Sequence, residues 1–219
     1  MRRFVGICFY GIFALPAVFP LLHRGGGAAG VPHCRIDTGV SVGYTLFTEN
    51  VSFIDVRRRQ MRDRVRDEFF MSLALEEAKK CMELDEVPVG AVVVRDDRVI
   101  AASGNGRESL KDATAHAELS AISAACRSLG GWRLVGCELF VTLEPCPMCA
   151  GAIINSRLPA VIIGAADPKA GAMGSIADMC ALPLNHKPEV VFGVLEEECA
   201  GLLRRFFREK RERGERWKK

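Results

Sequence analysis

Histidine and tryptophan are scarce, four and two in 219 residues, and no segment of the chain repeats at any period. The missing period sets aside solenoids, propellers and other arrays. His23, His33 and His186 stand alone, and no second Cys or His pair has ligand spacing. A closed structural zinc site built from four protein ligands is thereby disfavoured. Paired cysteines are lacking as well. The nine cysteines are scattered and odd in number, and only Cys146 and Cys149 form a CxxC. That is no disulfide framework, and it implies a reducing compartment. Cys81, Cys126, Cys137 and Cys199 fall in apolar stretches and read as small core residues.

A strong net charge is also absent, at +3 overall, but the charge is uneven: nine Lys or Arg against three Glu lie between Arg204 and Lys219. A basic tail on a mildly acidic body suits a polyanion such as nucleic acid, and the plainer reading is a solvated helix end. Hydrophobic residues at 49% and charged residues at 26% exclude a mainly disordered or fibrous chain. One compact domain with appendages fits this length.

The apolar run from Phe4 to Leu22, behind Met1-Arg-Arg, has the outline of a signal peptide, but Pro16 and Pro20 interrupt it. A spanning helix needs about 20 apolar residues, so two prolines near the end of a barely sufficient run weaken that reading. A targeting segment, a membrane anchor and an upstream extension compete for residues 1–60. Met61 heads the first segment that reads as a domain, so the extension is favoured. The expected division is an extension over 1–60, a folded domain over 61–213 and a basic tail over 214–219, with no membrane partner for the domain.

Apolar residues recur at helical spacing from about Asp67 to Leu84, predicting an amphipathic first helix ended by Val87-Pro-Val-Gly. Ala91-Val-Val-Val, the Asp96-Asp97 turn and Val99-Ile100-Ala-Ala predict a β-hairpin. After a loop over 103–113, Ala115 to Leu129 reads as a helix with Thr114 as its N-cap and Gly130-Gly131 as its stop. Glu138 to Leu143 and Ala160 to Ala165 read as strands, with a helix from Cys146 to Asn155 between them. Glu189 to Gly193 is a weaker strand, and Glu196 to about Arg213 is a closing amphipathic helix with Leu202, Leu203, Phe206 and Phe207 inward. This order predicts a three-layer α/β/α sandwich around a mixed sheet of about five strands.

The chemistry lies in His116-Ala-Glu118 and Pro145-Cys-Pro-Met-Cys149, both at helix starts after a loop or strand. Two cysteines three apart share one helix face, and the helix N-terminus favours their thiolate form. His116 supplies a third ligand, and three protein ligands with an open corner is the arrangement of a catalytic zinc. Glu118 does not share the direction of His116 on a regular helix, so it reads as a proton carrier and not a ligand. A CxxC can also be a redox pair, but there is no thioredoxin-like strand-CxxC context early in the chain.

Those motifs carry a resemblance to the zinc-dependent cytidine and deoxycytidylate deaminase superfamily, whose signature is H-x-E with P-C-x-x-C. The longer set resembles bacterial tRNA-specific adenosine deaminases: Glu86-Val-Pro-Val-Gly-Ala, Thr114-Ala-His-Ala-Glu, Leu139 to Ala152, Gly164-Ala-Ala-Asp-Pro-Lys-Ala-Gly-Ala, Glu198-Cys-Ala and Phe206-Phe-Arg. It covers about Arg62 to Arg213, and residues 1–60 have no counterpart in it. The resemblance implies a cytidine deaminase-like fold, one zinc per subunit on His116, Cys146 and Cys149, and no organic cofactor. It implies hydrolysis of adenosine to inosine at the first anticodon position of tRNA by a zinc-activated water, with Glu118 shuttling protons.

By the same resemblance Asn105 binds the flipped purine and the Ala117 backbone N–H faces its reacting edge. Asp167 and Lys169 touch flanking anticodon-loop nucleotides, and Phe207 and Arg208 complete the wall. Residues alone would make Asn105 a turn residue in a Gly-rich loop and Asp167-Pro168 a turn initiator. The implied partners are the anticodon stem-loop and a second copy of the chain, in the cytoplasm. Competing readings are a free-base or nucleoside deaminase with the same zinc residues, and a non-catalytic zinc-stabilised RNA-binding module.

Overall fold

The computed structural model describes residues 53–214. Its first element is helix α1 (Phe53–Glu83). It starts upstream of the amphipathic stretch expected at Asp67, because neither Gly nor Pro interrupts 53–83 and helix-forming Arg, Gln and Met let it continue. Five strands follow: β1 (Gly90–Arg95), β2 (Arg98–Gly104), β3 (Cys137–Leu143), β4 (Ala160–Ala165) and β5 (Glu189–Phe192). Between and after them lie α2 (Arg107–Leu110), α3 (Ala117–Leu129), α4 (Pro147–Asn155) and α5 (Glu196–Glu212). The segment expected as loop over 103–113 thus holds the end of β2 and the short helix α2. The apolar N-terminal run and the end of the basic tail lie outside the described residues. Among the described residues no helix is long and apolar enough to cross a membrane.

The sheet order is β2-β1-β3-β4-β5, with β1 antiparallel to both β2 and β3, and β3, β4 and β5 parallel. The hairpin turns at Asp96 and Asp97, both at positive φ (50° and 56°), the backbone that a tight two-residue turn between twisted strands requires. Side-chain alternation then divides the core. Val93, Leu139, Val141, Val161 and Ile163 face α3 and α4. Val92, Val94, Phe140 and Ile162 face α1 and α5. The central strands read as continuous apolar runs because both faces are covered. The fold is therefore the α/β/α sandwich with a mixed five-stranded sheet that the order of elements predicts.

Of the cysteines read as core, Cys81, Cys137 and Cys199 are buried, whereas Cys126 is half-buried. On α5, Phe206 is fully buried and Leu202, Leu203 and Phe207 are half-buried at its margin.

Two glycines set how closely helices approach the sheet. A Cβ at Gly164 on β4 would lie 2.4 Å from Cys199 Sγ on α5. A Cβ at Gly90 on β1 would lie 2.0 Å from the Ala74 carbonyl oxygen and 2.7 Å from the Ala78 nitrogen, both α1 backbone that cannot swing aside. Gly90→Ala is therefore expected at the costly end of overpacking, about 3 kcal/mol, lowering the thermal midpoint by roughly 6–12 °C. Calorimetry checks this, and an unchanged midpoint would show that α1 does not hold this approach.

Candidate active site

The parallel strands deliver the site. β3 ends at Leu143 and runs through Glu144 and Pro145 into α4, while β4 ends at Ala165 and opens into the loop that carries Asp167. Chain segments leaving the carboxyl ends of adjacent strands converge there, where open α/β sheets bind ligands.

Both ligand-bearing helices begin on a ligand. His116 is the N-cap of α3 and Cys146 the N-cap of α4, each with extended backbone and neither spending its side chain on a cap hydrogen bond. Thr114, expected as the cap of α3, sits two residues earlier and gives its N–H and hydroxyl to the Asp112 carboxylate (2.8 and 2.7 Å). Pro147 occupies the first turn of α4, where its missing N–H costs nothing. Cys149, one turn on, then shares a face with Cys146.

His116 Nδ1 lies 3.7 Å from Cys146 Sγ and 3.5 Å from Cys149 Sγ. All three ligand atoms fall within 4.8 Å of one another. Tetrahedral zinc, at about 2.0 Å from an imidazole nitrogen and about 2.3 Å from a thiolate, sets those atoms about 3.6 Å apart. The three side chains are thus placed for one zinc ion. The Cys146 thiol is pushed down to about 5, first by a hydrogen bond from Cys149 and further by His116, against burial. Cys149, the donor of that bond, is pushed up by it and by burial. The pair holds one thiolate readily, and a dication supplies the attraction that the second needs.

Glu118 stands two residues into α3 and is 4% exposed. Burial pushes its carboxyl up to about 7 and the Cys146 charge adds to this, while its own backbone N–H and the Cys149 thiol act in the other direction. A carboxyl near neutrality beside a metal ligand set suits proton transfer in both directions.

A cavity of about 180 Å³ opens over these groups, lined among others by Asn105, His116, Glu118, Glu144, Cys146 and Asp167. Asn105 is 8% exposed and hydrogen-bonded within the fold, not a surface turn residue. Ala117 is buried at the first position of α3. Lys169 is exposed beyond the lining, with its N–H donated to Asp167 Oδ1 (2.9 Å). Phe207, half-buried edge-on to Phe206, and the exposed Arg208 lie on α5 and are not in the cavity lining.

Of two buried carboxylates to which the residue pattern assigned no role, Glu144 lines the cavity and Glu86 is hydrogen-bonded to the lining residue Asn105. Glu86, 0% exposed, accepts from Asn105 Nδ2 (3.1 Å) and from the Ser109 N–H and hydroxyl (2.6 and 2.8 Å). Glu144, 3% exposed, accepts the N–H groups of Asp167, Met173 and Ser175 (3.0 Å each) and the Ser175 hydroxyl. Glu144 thereby ties the loop carrying Asp167 to the strand that leads into Cys146. The available signal was an acid in an otherwise apolar strand end or turn, since Glu is almost never fully buried unless paired.

Burial pushes the Glu144 carboxyl up, but the Ser175 hydroxyl and the three N–H groups outweigh it and hold it below the usual range. A depressed folded-state pKa contributes stability above the unfolded value that is lost as pH falls through the folded one. Glu144→Gln turns an N–H₂ toward groups that all donate, so a loss of about 2 kcal/mol at neutral pH is expected. The variant should also lose less stability than the parent on acidification below the carboxylate range. Urea melts at several pH values measure both, and parallel curves would remove Glu144 from this role.

Residues 64–165 match the family described as the cytidine and deoxycytidylate deaminase zinc-binding region. The fold and site are accordingly those of a zinc-dependent deaminase. The tRNA-specific adenosine deaminase of Bacillus subtilis is 51% identical over 148 residues, 67% of this chain and 92% of that protein. That of Agrobacterium fabrum is 53% identical over 143 residues, 65% of this chain and 94% of that protein. The chain belongs to the tRNA-specific adenosine deaminase family.

Among solved structures, one from a study of A-to-I editing by tRNA:A34 deaminases at the wobble position of transfer RNA is 51% identical. It superposes with a TM-score of 0.60 and covers 62% of this chain and 99% of that one. A guanine deaminase from Nitrosomonas europaea is 29% identical, with a TM-score of 0.54 over 64% of this chain and 83% of that one.

Proposed function

We propose that this protein deaminates adenosine to inosine hydrolytically at the first anticodon position of tRNA. The observation that carries this reading is identity at about half of the aligned positions across 92% of a tRNA-specific adenosine deaminase, with His116, Cys146 and Glu118 lining one cavity and Cys149 grouped with the first two. His116, Cys146 and Cys149 would hold a zinc ion, which when bound would bring the pKa of a water from about 15.7 towards ~7 and so make it acidic enough to attack at neutral pH.

The chain's own residues do the remainder. Glu118 accepts a proton from the attacking water and passes it to N1 of the adenine; it then takes the remaining proton of the new C6 hydroxyl and delivers it to the amino group, which leaves as ammonia as the C6 carbonyl forms. The Ala117 N–H faces the reacting edge from the first turn of α3. The base must leave the loop stack to reach so enclosed a carboxylate, which costs a few kcal/mol and costs least in an unpaired anticodon loop. Asp167 and Lys169 meet the neighbouring nucleotides. Phe207, Arg208 and the basic face of α5 hold RNA at the rim of the site, which makes affinity fall with salt.

The catalytic domain is assigned to residues 61–213, with α1 running into it unbroken from Phe53, and the basic tail to 214–219. It works in the cytoplasm as a homodimer whose two copies both meet the stem-loop. The test is to offer the purified chain an anticodon stem-loop with adenosine at its first position, and separately free guanine, cytosine and nucleosides. Inosine in the stem-loop alone supports the assignment. Turnover of free bases or nucleosides without it transfers the chain to the free-base or nucleoside deaminases (guanine, cytosine or cytidine) of the same superfamily.

A further inference from the structure

The chain leaves α1 through a turn held by its own backbone. The N–H groups of Leu84, Asp85 and Glu86 donate to the carbonyls of Cys81, Met82 and Cys81 (3.1, 3.1 and 2.9 Å). Asp85 turns the corner at positive φ (59°), a backbone that Asp and Asn tolerate better than most residues. The residues that follow build the catalytic cavity: Val87 and Val89 line it, and Glu86 holds the lining residue Asn105. Asp85 is not in that lining and is bonded to α5 instead, accepting from Lys210 Nζ and from Arg213 (2.8 Å).

Nothing local favours an acid at this point. It stands at the carboxyl end of α1 and meets the carboxyl end of α5, so both helix dipoles oppose a negative charge. The two cations outweigh them. The Asp85 carboxyl is held below the usual range, first by the Lys210 hydrogen bond and further by the Lys210 and Arg213 charges, against burial. Lys210 is well covered, its side chain 12% exposed and its ammonium 5.7 Å from the Phe206 ring centre, and a covered pair is screened less than an open one. The contact joins elements 125 positions apart. α5 thus starts beside β4, where Cys199 packs on Gly164, and ends against the turn that leads into the cavity.

We propose that Asp85 is a positioning residue that fixes the last turns of α5 against the cavity-forming segment, and so sets how tightly the rim of the site grips RNA. The inference rests on the reading above, in which Phe207, Arg208 and the basic face of α5 hold RNA. Phe207 and Arg208 lie within one turn of Lys210, so what holds Lys210 also sets their place at the rim. Asp85 and Glu86 are consecutive: one acid fixes the helix and the next fixes the cavity lining, with a single peptide keeping the two in register. The chemical step does not pass through Asp85.

Asp85→Asn keeps the shape and the backbone preference and removes the charge, while Lys210→Met keeps a long apolar stem and removes the partner's charge. Both variants and the double variant are offered an anticodon stem-loop with adenosine at its first position. Turnover yields kcat and KM, anisotropy of the labelled stem-loop yields Kd, and zinc content and melting temperature are recorded. Each single substitution should raise KM and Kd about three- to tenfold with kcat within about twofold of the parent. The double variant should be no worse than the worse single, because the two ends of one contact are lost only once. An unchanged Kd in Asp85→Asn overturns the proposal, and so does a lowered one, which would show that the acid merely repels RNA. A double variant whose loss is the product of the two single losses also overturns it, by making Lys210 a phosphate contact in its own right. A fall in kcat and melting temperature at unchanged KM overturns it too, leaving Asp85 a structural role alone. Should Asp85→Asn fail to fold, Lys210→Met decides: a Kd equal to the parent's overturns the proposal. A parent that binds the stem-loop without forming inosine would overturn the adenosine reading, whereas the Kd comparison would still decide this inference.

Discussion

Glu118→Gln should lower kcat on an adenosine-bearing stem-loop by about 10²–10⁴ while leaving zinc content and melting temperature near those of the parent. The carboxyl is enclosed, stands beside the ligand set without joining it, and is brought by burial into the range where it can both take and return a proton. Glutamine keeps the shape and loses only the exchangeable proton. Since the loss falls on the chemical step, KM for RNA should change far less than kcat. Single-turnover rates with metal analysis make the measurement. A rate within tenfold of the parent would place proton transfer on another group. A preserved biological role for the inactive variant would point instead to a zinc-stabilised RNA-binding module.

Cys146→Ser has the opposite signature, failing at the metal before it fails at the chemistry. The thiol is already pushed down to about 5 in the folded protein, so a thiolate stands ready at neutral pH, whereas a serine hydroxyl does not ionise there. The variant should purify with far less than one zinc per chain, melt lower because it forfeits the linkage energy of a bound ion, and stay inactive when zinc is added back. The parent stripped with a chelator should recover on adding zinc. Metal content equal to the parent's would contradict the ligand assignment, since an imidazole and one thiolate would then suffice.

The layers of the fold were legible from periodicity because both helix faces and strand alternation are written in apolar residues. The runs Ala91-Val-Val-Val and Ala160-Val-Ile-Ile read as strands covered on two faces, which α3, α4, α1 and α5 then supply. Helix boundaries were less legible. Thr114 is a good N-cap by type, but His116 takes that position two residues on, because the metal site needs the imidazole where the helix begins. The start of α1 at Phe53 carries no breaker or cap that a pattern could register.

By itself the residue order marked His116, Cys146 and Cys149 as candidate ligands and Glu118 as the candidate proton carrier. CxxC and HxE are short-range spacings, and helix geometry converts short spacing directly into direction. Tertiary structure alone decided which carboxylates are buried among donors. Glu86 meets Asn105 and Ser109, and Glu144 meets Asp167, Met173 and Ser175, only after segments up to 31 positions apart close around them. Whether an acid is solvated or enclosed is a property of that closure, because the cost of burying it is offset by partners the chain brings from elsewhere.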